Sequence, residues 1–258
     1  MAAAPGVVPA VRVGDLVMSY GALRAVDNIS FEVAEGEFFG ILGPNGAGKT
    51  TTLEMIEGLR RPDSGEVLLL GERSWPRNTR LLKRVGVQLQ ASAFFERLTA
   101  LEQLRTFAAL YDVPGARAEE WLERVGLTEK SGTRTEDLSG GQAQRLAIAC
   151  ALVHEPDIVF LDEPTAALDP QARRNLWDLL EGLNESGRTV VLTTHYMDEA
   201  EKLCDRVAVM DQGRILEIGT PAELVSAHGR AQGLDDEAMR RVTLEDVFLE
   251  LTGREYRG

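Results

Sequence analysis

Cysteine, histidine and lysine are all scarce in this 258-residue chain, and each scarcity excludes something. The two cysteines, Cys150 and Cys204, stand alone, with no CxxC pair and no histidine cluster beside them. Neither a disulfide framework nor a metal-binding finger is expected, and two free thiols in a reducing cytosol are the simple account. Long apolar runs are missing too: the longest, Leu146–Val153, has eight residues, whereas a membrane span needs about 20. The first ten residues lack a basic n-region and are broken by Pro5, Gly6 and Pro9, so they do not read as a signal peptide. A soluble chain is expected, any membrane role coming through another subunit. Basic residues are outnumbered, 28 against 41 acidic, and the net charge of −13 argues against nucleic acid as a partner, because phosphate backbones are bound by Lys and Arg. Only Lys49, Lys83, Lys130 and Lys202 are lysine; every other basic residue is arginine. No internal repeat or long low-complexity segment interrupts the chain. Its 44% apolar content at this length can bury one large domain, or one domain with an inserted subdomain.

What is present centres on Phe38–Leu53, FFGILGPNGAGKTTTL. It reads as a short apolar strand, a glycine-rich turn and a helix opening at Gly48-Lys49-Thr50. Gly43, Gly46 and Gly48 allow positive φ and let backbone N–H groups approach a ligand with no Cβ in the way. The helix that follows offers N–H groups and the positive end of its dipole to an anion. Lys49 can reach a terminal phosphate, and a lysine where arginine is the rule suggests a site wanting a compact ammonium. The Thr50 hydroxyl can ligate Mg²⁺, and the spacing Gly43-x-x-x-x-Gly48-Lys49-Thr50 fits a phosphate-binding loop in its strand–turn–helix context. The bland alternative is an ordinary strand-to-helix turn with a lysine nearby.

Around this stretch, Val11–Ser19, Ile29–Val33 and Val67–Leu70 alternate apolar and polar residues or follow turn signals, which predicts a small, largely antiparallel sheet. Tyr20-Gly21 leaves an aromatic ring at a strand end. Val85–Leu89 predicts a further strand, with Gln90 at its end. From Ala91 to about His154 the pattern is helical, with a capping box at Thr99–Glu102 opening one helix and Ser139–Gln142 opening another. Ile158–Leu161 is a continuous apolar run suited to a strand buried on both faces, ending in Asp162-Glu163-Pro164. A helix from about Pro170, a strand Thr189–Thr193 with His195 beyond it, and a hairpin around Asp211-Gln212-Gly213 follow. Thr220 caps a short helix; Ser226–Met239 reads as a polar, glycine-broken, mobile connection; and Leu244, Val247, Phe248 and Leu251 mark one face of a last helix.

Gly43, Gln90, Asp162-Glu163 and His195 thus stand at the ends of four strands, and in open α/β sheets ligands bind beyond the carboxyl ends of strands. Adjacent residues at a strand end point to different sides, so Asp162 can serve a Mg²⁺ shell while Glu163 orients water. Each has a bland reading: a solvated acidic turn, a polar loop glutamine, a histidine satisfied at a sheet edge, a tyrosine packing with its hydroxyl in water. Gly140-Gly141 at a helix start are costly unless something approaches the backbone there. They form a second anion-suited helix N-terminus without a lysine of its own, which suggests two chains facing each other.

With these motifs in order, the chain resembles the ATP-binding subunit of an ABC transporter from Val11 to Gly219. GPNGAGKT at 43–50 is similar to Walker A, Gln90 to the Q-loop glutamine, LSGGQ at 138–142 to the signature motif, IVFLDEP at 158–164 to Walker B, Ala167-Leu168-Asp169 to the D-loop and His195 to the switch histidine. Tyr20 falls where that family places an aromatic ring against adenine. The resemblance implies an α/β fold: a P-loop NTPase (RecA-like) core with a mainly parallel sheet, an N-terminal antiparallel β subdomain and an inserted helical subdomain at about 91–154. The ATP-binding domain would span 1–225, and a short extension, 226–258, would end in an amphipathic helix. It implies a head-to-tail dimer with two ATP molecules in the interface, each between Walker A of one chain and Ser139, Gly140, Gly141 and Gln142 of the other. By the same resemblance, Gly43, Pro44, Asn45, Gly46, Ala47, Gly48, Lys49, Thr50 and Thr51 bind the phosphates. Thr50, Gln90 and Asp162 serve Mg²⁺, Glu163 is the general base, His195 contacts the γ-phosphate, and Asp169 couples the two sites.

Val85–Gln90, Leu98–Glu102 and the ending Thr243–Gly253 are most similar to drug- and antibiotic-export ATPases that pair with a separate permease. The polar stretch before the last helix is shorter than that subfamily's pattern. Such a subunit would sit at the cytoplasmic face of the membrane through its permease, whose coupling helix would dock around Ala91–Arg97; Phe94 and Phe95 are candidates for that groove or for core packing. Two other classes stay open: a soluble ABC ATPase of a non-membrane assembly such as iron–sulfur cluster building, and a nucleic-acid type. The latter needs a coiled-coil insertion or a second ATPase domain, and neither is in this sequence.

Overall fold

The computed structural model describes residues 8–89, 94–166, 168–232 and 241–253. Gln90, Ala91 and Ala167, singled out above, lie outside them. The chain divides into two compact units, Met1–Trp75 with Thr193–Gly258, and Pro76–Leu192.

The first unit opens with β1 (Val11–Tyr20), β2 (Leu23–Val33), β3 (Phe38–Leu42), α1 (Lys49–Ile56), β4 (Ser64–Leu69) and β5 (Glu72–Arg73). An antiparallel sheet runs in the order β2-β1-β4-β5, with Val11 opposite both Val33 and Leu69. Val11, Val13 and Leu16 of β1 are buried, as a half-buried strand requires. β2 begins earlier than its alternation suggested, because exposed Leu23 and the left-handed turn at Asn28 (φ 54°) break the period. Every residue of β3 is buried, and Phe39 stacks on Phe31 of β2 with ring centroids 5.2 Å apart.

The second unit contains α2 (Thr79–Leu82), β6 (Val85–Gln88), α3 (Ala100–Leu110), α4 (Ala116–Arg124), α5 (Gly140–Leu152), β7 (Ile158–Asp162), α6 (Pro170–Glu185) and most of β8 (Thr189–Thr194). β6 and β7 pair in parallel, Val85 opposite Ile158, and β7 is buried throughout. Both capping boxes form: Thr99 with Glu102 on α3 and Ser139 with Gln142 on α5. α3, α4 and α5 pack on one another, and Trp121 of α4 is 1% exposed. Trp121→Ala is expected to lower stability by about 3–5 kcal/mol through lost burial and the cavity left behind. A melting temperature unchanged from the wild type would contradict that packing role.

The chain returns to the first unit with α7 (Met197–Leu203), β9 (Arg206–Asp211), β10 (Arg214–Gly219), α8 (Pro221–Ala231) and α9 (Leu244–Thr252). β9 runs parallel to β3 and antiparallel to β10. One expectation is corrected here: Ser226–Ala231 continues α8 instead of starting a connection. Its polar residues concealed a helix whose His228 and Gly229 are buried, because α9 packs on it with Leu244, Val247 and Phe248 turned inward. Cys150 and Cys204 are both free and buried, and burial pushes both thiols up.

Candidate functional site

In the first unit, β3 ends at Leu42 and Gly43 starts the glycine-rich turn. A Cβ on Gly43 would lie 2.2 Å from the Met210 carbonyl oxygen, and one on Gly48 (φ 105°) 2.3 Å from that of Ala25. Both positions therefore need glycine, because the loop is pressed against backbone on two sides and Gly48 is left-handed. The Ala47 carbonyl accepts from the Gly213 N–H at 2.8 Å, which anchors the turn to the β9–β10 hairpin. α1 starts at Lys49 with Gly48 as N-cap, and no side chain caps it. No acidic residue lies in its first turn. α3, α5, α6, α8 and α9 carry side-chain caps, whereas α4 and α7, like α1, do not; what sets α1 apart is the glycine turn and buried lysine at its start. An uncapped helix start with a positive dipole end suits a phosphate. Lys49 is 4% exposed, and its Nζ donates to the carbonyl oxygens of Gly43 at 2.8 Å and Pro44 at 3.2 Å. These two bonds hold the ammonium over the turn. The loop thus suits a polyphosphate: Gly43 and Gly48 let it lie against backbone where a Cβ would clash, and the helix start behind it carries no side-chain cap.

The same unit brings His195 near the loop's start. The Gly43 N–H donates to the Thr194 carbonyl oxygen at 3.2 Å, which ties the turn to the residue before His195. The half-buried His195 ring lies against Tyr196, centroids 4.1 Å apart, and the Thr194 hydroxyl accepts from the Tyr196 N–H at 3.0 Å, fixing the backbone beyond β8. Tyr20 ends β1 and is 43% exposed. It does not stand alone, because the Arg60 guanidinium lies over its ring, 5.3 Å from the centroid.

The second unit carries the carboxylates. Asp162 is the last residue of β7 and is 3% exposed. Glu163 is half-buried and adopts φ 47°, a left-handed conformation rare for a side chain of this size. Such a residue costs about 1–3 kcal/mol and persists where its surroundings over-determine it, commonly at functional sites. The surroundings are visible: the Pro164 carbonyl accepts from the buried Gln144 amide at 3.1 Å, so α5 holds the turn just after Glu163. Nothing in the sequence signals this strain, and proline after Glu163 argues for extended backbone instead.

Ser139, Gly140, Gly141 and Gln142 open α5 in the same unit. The Ser139 hydroxyl oxygen accepts from the Gln142 N–H at 3.4 Å, and Gln142 Oε1 accepts from the Ser139 N–H at 3.0 Å. Capping uses the hydroxyl only as acceptor, so its O–H remains able to donate. Ser139 and Gly140 are exposed. Asp169 caps α6, Oδ1 accepting from the N–H groups of Ala172 and Gln171, each at 2.9 Å. The Ala172 N–H above all holds its carboxyl below the usual range. Near the docking segment expected for a partner, Phe95 is exposed and tilts against Phe107 at 6.3 Å, while Phe94 is half-buried. Residues that sequence reasoning passed over are Gln144, which braces the Glu163 turn, and Arg60 with its partner Glu54; none lies in a recognisable motif.

Comparison with known proteins agrees with this geometry. The family model for the ABC transporter matches residues 26–166. Nod factor export ATP-binding protein I of Paraburkholderia xenovorans (strain LB400) is 43% identical over 241 residues, covering 92% of this chain and 79% of that protein. Linearmycin resistance ATP-binding protein LnrL of Bacillus subtilis (strain 168) is 42% identical over 215 residues, covering 82% of this chain and 69% of that protein. Among solved structures, an ATP binding subunit of an ABC transporter superposes with a TM-score of 0.82 at 29% identity, covering 94% of this chain and 99% of its own. The dimeric post-hydrolysis state of the ATP-binding cassette MJ0796 bound to ADP and Pi gives 0.76 at 31% identity, covering 81% and 98%. The mixed α/β fold of a P-loop NTPase expected from sequence is the one these neighbours share.

Proposed function

The chain belongs to the ABC transporter family as an ATP-binding ATPase subunit, and from that premise we propose that it energises export of a drug, antibiotic or other small molecule through a separate membrane permease. The observation that carries the nucleotide half of this reading is the uncapped start of α1 beneath a buried lysine. The export half is supported by relatives that serve Nod factor export and linearmycin resistance. Among the described residues no helix is long and apolar enough to cross a membrane.

The substrate is ATP. Backbone N–H groups from Asn45 to Thr51 and the Lys49 ammonium are assigned to its phosphates, and Tyr20 to its base. His195 is assigned to the γ-phosphate. Motif position assigns Thr50, Gln90 and Asp162 to Mg²⁺, which when bound offsets the charge that develops on the phosphate oxygens. Glu163 takes a proton from the attacking water, and positioning and charge stabilisation supply most of the remaining rate. Two copies pair head to tail, so that the Ser139 O–H and the N–H groups opening α5 meet the ATP held by the other chain. Gln142 holds the cap that orients Ser139, and Asp169, fixed as the cap of α6, couples the two sites.

The rate of hydrolysis per chain is then expected to rise with protein concentration before it levels off. A rate per chain that stays constant over about two decades of dilution below the micromolar range, where weak complexes dissociate, would remove the dimer. Affinity capture from detergent-solubilised membranes is expected to recover a polytopic chain together with the ATPase. Recovery of a soluble scaffold protein instead would replace export with a non-membrane assembly.

A further inference from the structure

Tyr20 and Lys49 sit at opposite ends of the nucleotide that the reading above places here, and the first unit contains a fastening between them that no motif includes. Arg60, in the turn after α1, is tied twice to Glu54 of that helix. Its backbone N–H donates to the Glu54 carbonyl oxygen at 3.1 Å, and its Nε donates to Glu54 Oε2 at 2.6 Å. The guanidinium then reaches the Tyr20 ring, 5.3 Å from the centroid, within the range of cation–π attraction. A second tie joins the same segments: Asp63 Oδ2 accepts from the Ser19 N–H at 2.7 Å, and the Asp63 N–H donates to the Val17 carbonyl at 2.9 Å. The end of β1 is therefore fixed by its backbone through Asp63 and by its ring through Arg60, both from the loop that leaves α1.

We infer that Arg60, held by Glu54, is a positioning residue for the nucleotide base: it locks the Tyr20 ring in place on the helix whose other end binds phosphate. This rests on the reading of Tyr20 as the base platform. An exposed tyrosine at a strand end is free to rotate, and a ligand that stacks on it must bear the entropy of stopping it. A guanidinium against one face removes that freedom before the base arrives, and pre-organisation is converted to affinity. Arg suits the task better than Lys, because its planar fork bonds a carboxylate and lies over a ring at once. As a plain surface ion pair, with side chains 35% and 29% exposed, Arg60–Glu54 would contribute little to stability. The positioning role separates cleanly from a structural one, because it acts only on ligands that carry a base.

The test is isothermal titration of the full-length chain with ADP, which is not hydrolysed, and with inorganic diphosphate, which has no base. Arg60→Ala is expected to weaken ADP binding by about three- to tenfold, the size of a cation–π contact that becomes partly desolvated, and to leave diphosphate binding at the wild-type value. Arg60→Lys should recover part of the loss. In a Tyr20→Ala background Arg60→Ala should add nothing, since the two act as one unit. Equal loss for both ligands would show a structural effect on α1 and overturn the inference, as would unchanged or tighter ADP binding. If Tyr20→Ala itself spares ADP, the base platform is wrong and the inference falls with it. If Tyr20→Ala weakens ADP while Arg60→Ala does not, only the role of Arg60 is lost.

Discussion

Replacing Glu163 by Gln is expected to lower ATP hydrolysis by about 10²- to 10⁴-fold, the usual contribution of a positioned base, while ATP binding persists. Gln keeps the size and hydrogen-bonding reach of the side chain but cannot accept a proton at neutral pH. Because the γ-phosphate stays intact, the variant should accumulate as an ATP-bound dimer on gel filtration, where the wild type cycles back to monomer. The strained backbone makes a second comparison informative. Glu163 lies at φ 47°, so Glu163→Gly relieves a conformational cost of about 1–3 kcal/mol. The glycine variant should be as inactive as the glutamine variant, yet no less stable to denaturant. Strain carried at a residue whose loss stabilises the fold is the mark of a position kept for chemistry. Hydrolysis by Glu163→Gln at the wild-type rate would exclude this residue as the base.

Lys49→Met is expected to weaken ATP binding by at least about tenfold, given that a hydrogen bond to a charged group is worth about 1.5–3 kcal/mol and each 1.4 kcal/mol is a factor of about ten. Met preserves the unbranched apolar stem, so the slot stays filled and the ammonium is what is removed. The Nζ donates to two turn carbonyls, Gly43 and Pro44, so the substitution also loosens the turn that presents the N–H groups. Lys49→Arg should not rescue, because a planar fork needs a wider approach than an ammonium and the position is buried. Titration with ATP in the Glu163→Gln background, where turnover is blocked, measures the effect. Equal affinity in the Met variant would contradict a phosphate role for Lys49.

The sequence was legible where a local rule decides the outcome. The spacing of Gly43, Gly48, Lys49 and Thr50 needs one strand, one turn and one helix, and all three are contiguous in the chain. The capping boxes at Thr99, Ser139 and Thr220 are likewise matters of four consecutive residues, and each forms. The buried run Ile158–Leu161 announced a strand by its composition alone. Legibility failed where burial by a distant element overrides a local pattern. Ser226–Ala231 looks like a connection until α9 covers it, and β2 extends six residues before Ile29 because β1 lies beside it, not because those residues alternate.

The division in the candidate site has the same cause. By itself the sequence determined which groups are on offer: a glycine-rich anion cradle, a single buried-type lysine, paired carboxylates after an apolar strand, and a second glycine-rich helix start. Motif chemistry depends on residue type and short spacing, and both are written in the chain. Tertiary structure alone decided how those groups are held. It pressed Gly43 and Gly48 against the carbonyls of Met210 and Ala25, turned Glu163 left-handed over a buried Gln144 contact, and laid Arg60 on Tyr20. Each of these joins residues far apart in the chain, where backbone sterics and a fixed ring face, set by packing, have no signature in local spacing.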